Sequence, residues 1–471
     1  MHGYLDSNYK SVSVFTYLVT LTKLLTVVYI TFITQNFSLL VIIPLFWCLG
    51  LLIHKNSTEL KLYLTLMSIF ATYSLIISYI VVGDSPEVRY YVAVDSLFFW
   101  NDILNLSYNS TLLGGLNNIV FSGQYPDLVG FRILYFTVAK LSASFGELEH
   151  YSQIFVLSQL SALVPFYLFK LLKEFDFNEL QSYRLALIYS LFCFVFFYSG
   201  VFVRDSIVSA IFSIIFYYIL KRDFAFKDLA IITILSLICL TFRFQHGLIA
   251  CCLGLISSYR VINRRLFYFI AFATLPAIIF FFVSSSIYDD QLALTSRYLE
   301  KSIDSSSGGS LGAIILKLPI PLNYLGMGAF SQLLPFPFWV YLEDSYLRVF
   351  ESLSGIYWFL LTATSLFCFL MIVFSQRTQR FWSIFKSKNL KMYSTPECVK
   401  NIFLLCISIS AVAIILASSE ANVRRIYCFY PVLFVFYNVI KSQCSVSQYT
   451  YTWYFVVINY VLLNIIYFSF K

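Results

Sequence analysis

A chain of 471 residues that is 59% hydrophobic and only 12% charged, with a mean hydropathy of +0.79, does not have the composition of a soluble domain, which carries about 25% charge. The net charge of +8 is expected to reside mostly in cytoplasmic loops and so calls for no nucleic-acid partner. Ten scattered cysteines without a C-x-x-C pair argue against a structural metal or a disulfide framework and read as small packing residues.

The polar N-terminus MHGYLDSNYK precedes an apolar stretch long enough to span, unlike a cleavable signal. Apolar runs of bilayer length then lie at 13–34, 37–54, 60–82, 151–172, 183–203, 206–220, 228–243, 247–262, 266–287, 353–374, 399–418, 424–440 and 452–470. The expected fold is therefore all-α: a single polytopic transmembrane bundle over 1–471 with about 13 spans. No internal repeat stands out.

Basic residues of the short loops set the orientation. His54, Lys55 and Lys61; Lys170, Lys173 and Arg184; Lys221, Arg222 and Lys227; Arg260, Arg264 and Arg265; and Arg377 through Lys400 all fall on the cytoplasmic side if the N-terminus is inside and the C-terminus outside. Two long segments, 83–150 and 288–352, then face outward. In the first, the apolar stretch 128–145 is expected to lie in or dip into the outer interface, because a crossing there would invert every later loop. In the second, 302–310 reads as a flexible linker. The apolar stretch after it, broken by Pro319, Pro321, Pro335 and Pro337, reads as a re-entrant hairpin or interfacial helices.

Arginines next to apolar spans on the outer side are the residues that invite chemistry, since cations near hydrocarbon are costly. Arg204 and Asp205 occupy a turn between two spans; Arg204 is a candidate phosphate ligand and Asp205 a group that orients it or a neighbouring arginine. Arg243 and His246 are three residues apart and share a helix face, the first suited to two phosphate oxygens, the second to hydrogen-bond donation or proton transfer. Arg424 and Arg425 open a late span and diverge by about 100° if helical. Arg297, Lys317, Arg89 and Arg132 are weaker cationic candidates. Among carboxylates, Asp95, before the aromatic run 97–100, is the candidate general base, with Asp127 its rival. Nucleotide-binding, zinc-protease and serine-nucleophile motifs are absent.

These features together resemble a Wzy-type oligosaccharide repeat-unit polymerase, the O-antigen and capsule polymerase group, and more distantly EpsG-type and GT-C glycosyltransferases. The resemblance is spread over most of the chain. It rests on the outer segment with Asp95 and the apolar run after Tyr125, the Arg204-Asp205 turn, the span ending at Arg243 with Gly254 beyond it, the proline-aromatic stretch 333–339, and NVRRIYCFYP at 422–431. The first outer segment departs from GT-C enzymes in lacking a clear paired acidic motif.

The resemblance implies a bacterial inner-membrane enzyme that moves a growing glycan from undecaprenyl diphosphate onto a lipid-linked repeat unit at the outer face. Arg204, Arg243, Arg424 and Arg425 would bind the diphosphate, and Asp95 or His246 would activate the acceptor hydroxyl. No cofactor is expected, and a chain-length-regulating co-polymerase is an expected partner. The alternatives are a GT-C transferase using a polyprenyl-phosphate sugar and a flippase for the same lipid-linked glycan.

Overall fold

The computed structural model describes residues 2–53, 57–82, 94–121, 128–148, 150–263, 321–333, 348–374, 396–417 and 423–470, together with isolated positions at 265, 267, 272, 314–315 and 317–319. The described residues are helical, with no strand among them. In order the α-helices are α1 His2–Thr34, α2 Ser38–Ile53, α3 Ser57–Val82, α4 Val94–Asn109, α5 Leu112–Phe121, α6 Val129–Ala143, α7 Tyr151–Glu174, α8 Glu179–Phe192, α9 Phe194–Ser199, α10 Asp205–Leu220, α11 Phe226–Phe242, α12 Phe244–Ser258, α13 Leu322–Ser331, α14 Arg348–Phe374, α15 Pro396–Ala417, α16 Tyr430–Gln443 and α17 Val446–Phe470. Five of them contain stretches long and apolar enough to cross a membrane: Val14–Thr34, Ser57–Ile80, Tyr151–Glu174, Val349–Ile372 and Val446–Ser469. Shorter apolar helices cover 38–52, 112–121, 205–220, 244–258 and 401–415.

Two expected spans take a different form. The run 183–203 is interrupted at Cys193, whose extended backbone separates α8 from α9. Bulky aromatic and branched residues are poor helix formers, and all of Phe194 to Tyr198 are drawn into the interior, Phe196 stacking on Tyr73 at 4.1 Å. The run 424–440 begins as two 3-10 turns, Val423–Arg425 and Tyr427–Phe429. Pro431 starts the α16 helix and, lacking an N–H, cannot extend an α-helix back through these residues. The run 128–145 forms α6, whose 15 residues rise about 22 Å, less than a hydrocarbon core. Apart from 267 and 272, the expected span 266–287 lies outside the described residues, as does most of 288–347.

The chain divides into two compact units. Unit 1 is Met1–Ile214, Leu237–Leu248 and Val340–Ser354; unit 2 is Ile215–Ser236, Ile249–Trp339 and Gly355–Lys471.

In unit 1, hydroxyl pairs fix the register of α1 against α3: Thr16 with Thr65 at 2.9 Å and Thr20 with Ser68 at 3.5 Å, so the two helices run the same way. Helix α7 runs opposite to α3. Gln159 donates to the Met67 carbonyl at 3.1 Å, Tyr63 meets Phe166, and His150 bonds Ser78 at 2.8 Å. Val27, Ile30, Leu39, Ile42, Ala71, Leu75 and Phe155 fill the space between these helices. Glu59, Lys170 and Lys173 therefore share one end of the unit, which brings together two of the basic loops assigned above to a common side. At the opposite end the turn after α1 docks on the turn after α6. Asn36 donates to the Ser142 and Glu147 carbonyls, and Gly146, at φ +152°, passes so close that a Cβ would stand 2.8 Å from the Gln35 carbonyl oxygen.

In unit 2, Trp358 lies flat on Tyr430 at 3.7 Å and donates its indole N–H to Gln332. Arg260 threads into the turn after α10, donating to the Ile219 and Arg222 carbonyls with its guanidinium over Phe224. The Ile219 carbonyl is one of the orphan acceptors at the end of α10, for which a cation is the suited partner. Asp228 accepts from the Ala225 N–H and pairs with Lys221, which starts α11.

Candidate functional site

The end of unit 1 away from Glu59, Lys170 and Lys173 carries the charged cluster. Trp100 on α4 touches both His150 and Phe202, placing the loop from Phe202 to Arg204 at that end. Helix α10 begins there with Asp205 in its first turn, where a carboxylate suits the positive end of the helix dipole.

Arg243 stands between α11 and α12, which fold back on each other. A Cβ on Gly247 would stand 2.5 Å from the Leu240 backbone, so only glycine allows the close approach that sets Arg243 at the apex. There the Arg243 Nη1 pairs with Asp205 Oδ1, the side chains being only 10% and 8% exposed. Arg204 donates to the Phe242 carbonyl at 3.2 Å, the residue just before Arg243. His246, three residues after Arg243, is 4% exposed and presents an edge-on contact to Phe212 at 6.0 Å. Arg204, Asp205, Arg243 and His246 thus belong to one local assembly.

A second pair adjoins it. Gly130, at the start of α6, faces Thr241 and Phe242, and Phe131 touches Phe202. Two residues on, Arg132 grips Asp102 of α4 with two parallel hydrogen bonds of 2.8 and 3.1 Å. This fork-to-carboxylate geometry is the strongest form of side-chain ion pair. Sequence reasoning ranked Arg132 low and gave Asp102 no role; the available signal was an arginine inside an apolar run. Glu351, in the first turn of α14, was also passed over. Its carboxylate is buried and accepts from the Tyr198 hydroxyl at 2.6 Å, while the Tyr198 carbonyl accepts from Ser206, next to Asp205.

Arg424 and Arg425 lie in unit 2, half-buried on a 3-10 turn, where successive side chains diverge by about 120° rather than 100°. Lys317 is exposed. Asp95 begins α4, but its side chain, like Arg89, Asp127 and Arg297, lies outside the described residues. Among the described residues no group of three or more His, Cys, Asp or Glu could hold a metal ion.

No family model, no curated protein and no solved structure matches the chain.

Proposed function

We propose that the protein is a membrane-embedded polymerase that transfers a growing glycan from undecaprenyl diphosphate to a lipid-linked oligosaccharide repeat unit, at the outer face of a bacterial inner membrane. The observation that carries this reading is the assembly of Arg204, Asp205, Arg243 and His246 at the end of unit 1 remote from its basic loops. Two arginines held at neighbouring points, Arg204 on the Phe242 carbonyl and Arg243 on Asp205, suit a diphosphate, whose negative charge grows as the glycosidic bond breaks.

In this mechanism the acceptor hydroxyl attacks the anomeric carbon of the donor glycan. Its proton passes to Asp95 or His246, and the lipid diphosphate leaves with the bonding electrons. Arg243 comes to this task already oriented, because Asp205 fixes its fork. Arg204, less buried and tied to the Phe242 carbonyl, is the partner cation. Arg424, Arg425 and Arg297 are assigned to the same anionic substrate from the sequence pattern alone. A co-polymerase would set chain length.

The surface glycan of cells lacking the protein tests the class. The expected profile retains single repeat units on the final acceptor and loses long chains. Loss of the single-unit product as well, with lipid-linked units trapped on the cytoplasmic side, would identify a flippase instead. Accumulation of repeat units short of one sugar would identify a transferase of the GT-C kind.

A further inference from the structure

Lys23 is the most anomalous residue in unit 1. It lies near the middle of the span Val14–Thr34, and its side chain is completely buried. A lysine near a helix end can run its stem along the apolar surface and keep its ammonium in water. At mid-span and with no exposed surface, Lys23 has no such escape. A buried cation without compensation costs several kcal/mol, by order of magnitude, so sequences keep one only where something compensates it.

Compensation from the chain itself is partial. The ammonium lies 5.3 Å from the ring centre of Trp47 on α2 and 5.6 Å from that of Phe155 on α7. Ring faces attract the charge but accept none of its three N–H bonds well. Among the described residues Lys23 Nζ has no hydrogen-bond partner, and neither does the buried Trp47 Nε1. The polar neighbours along this seam are neutral: Thr20 and Ser68 pair with each other, and Gln159 uses its amide nitrogen on the Met67 carbonyl. Gln159 Oε1 is also without a partner, and a bond to it would give Lys23 a dipole, not a counter-charge. The carboxylate of α3, Glu59, is about 18 Å away along the helix, twelve residues from the level of Ala71, and is held by Lys170 and Lys173.

Two buried donors without hydrogen-bond partners among the described residues, one of them a cation whose neighbours along the seam are neutral, suit a monovalent anion. Phe155, whose ring flanks the ammonium, is fully buried, as is Lys23 itself, so the ion is small and is not a lipid headgroup. We propose that Lys23, with the indole N–H of Trp47, binds a chloride ion inside unit 1 between α1, α2 and α7, and that this ion is a structural ligand of the bundle. The inference is independent of the function proposed above.

Thermal unfolding of the purified full-length protein in detergent tests it, with potassium chloride exchanged for potassium gluconate at constant ionic strength. A ligand of the folded state raises Tm with concentration and saturates. The expected result is a saturable rise of a few degrees for the wild type and a flat response for Lys23→Met, which keeps the length of the side chain without its charge. Trp47→Phe, which keeps the ring and removes the donor, should raise the half-saturating chloride concentration roughly tenfold or more. This second variant decides the matter if Lys23→Met fails to fold. A wild-type Tm indifferent to chloride overturns the proposal. So does an undiminished chloride response in Lys23→Met, or an unchanged half-saturation in Trp47→Phe.

Discussion

At one end of unit 1, Glu59 meets Lys170 and Lys173 at 3.8 and 3.4 Å, with the lysine side chains 18% and 35% exposed. At the other end Asp205 meets Arg243, and both are nearly withdrawn from solvent at 8% and 10%. The charges are the same and the physics is different. A lysine at a wet boundary contributes little through pairing, because water serves its ammonium almost as well. A buried arginine and carboxylate depend more strongly on each other, because burial has removed most of the water that would otherwise solvate them. The first end has the chemistry of an anchor on a solvated face, and the second, under the proposed function, that of a pre-oriented binding group.

The comparison breaks most decisively if the two ends do not lie on opposite sides of a membrane. In a background without accessible thiols, Ser57→Cys at the start of α3 and Ser144→Cys after α6, both exposed, serve as reporters. An impermeant thiol reagent should label Ser144→Cys in intact cells, and Ser57→Cys only after the membrane is opened. Labelling of both from one side would remove the outer placement of Arg204 and Arg243, and with it the proposed reaction.

Next in size is the dependence of the buried pair on its partner. Asp205→Ala leaves the Arg243 charge buried and should cost about 3–5 kcal/mol of stability. Adding Arg243→Met in the same chain should restore most of the loss, since an apolar replacement of the whole pair is often neutral. A stability curve for Asp205→Ala that overlays the wild type would show that the pair is hydrated after all.

For catalysis the sharper variant is Arg243→Lys, which keeps the charge and loses the fork. At about 1.5–3 kcal/mol for a charged hydrogen bond, polymerisation should fall roughly tenfold to hundredfold while the protein still inserts. Full activity would reduce Arg243 to an interfacial anchor and move the diphosphate site to Arg424 and Arg425. Gly247→Ala should act in the same direction without touching any charge, because separating α11 from α12 displaces Arg243 from Asp205.

The helices themselves were legible in the sequence because a long apolar run has few other solutions. The boundaries of α2, α3 and α7 follow those runs to within three residues; α1 and α14 end where their runs end but begin eleven and five residues earlier. The breaks were less visible. Cys193 gives no warning of its own; it becomes a break because the aromatic residues after it are pulled into unit 1. At 423–429 the cue was present, in Pro431, and it marks where the helix starts rather than how the arginines before it are arranged. The site was legible as a set of residue types and not as partners. Asp205 with Arg243, and Arg132 with Asp102, join different helices, and nothing local announces which carboxylate answers which arginine. Lys23 shows the same limit: the sequence places it inside a span, and only packing shows that it faces Trp47 and Phe155.

The smallest expected effect is also a necessary one. Glu59→Gln removes the carboxylate from the partly exposed end and leaves the Lys170 and Lys173 ammonium groups over the Phe166 and Phe169 rings, with side chains still 18% and 35% exposed. The loss should stay under about 1 kcal/mol and shrink further as salt is raised, because exposed pairs are screened. Unfolding of Glu59→Gln, read by the same thermal or denaturant curve as Asp205→Ala, compares the two ends directly. A loss as large as that of Asp205→Ala would mean that burial does not distinguish them. A small, salt-sensitive loss leaves the contrast standing: pairing at the wet end is dispensable, whereas at the buried end the arginine depends far more on its carboxylate.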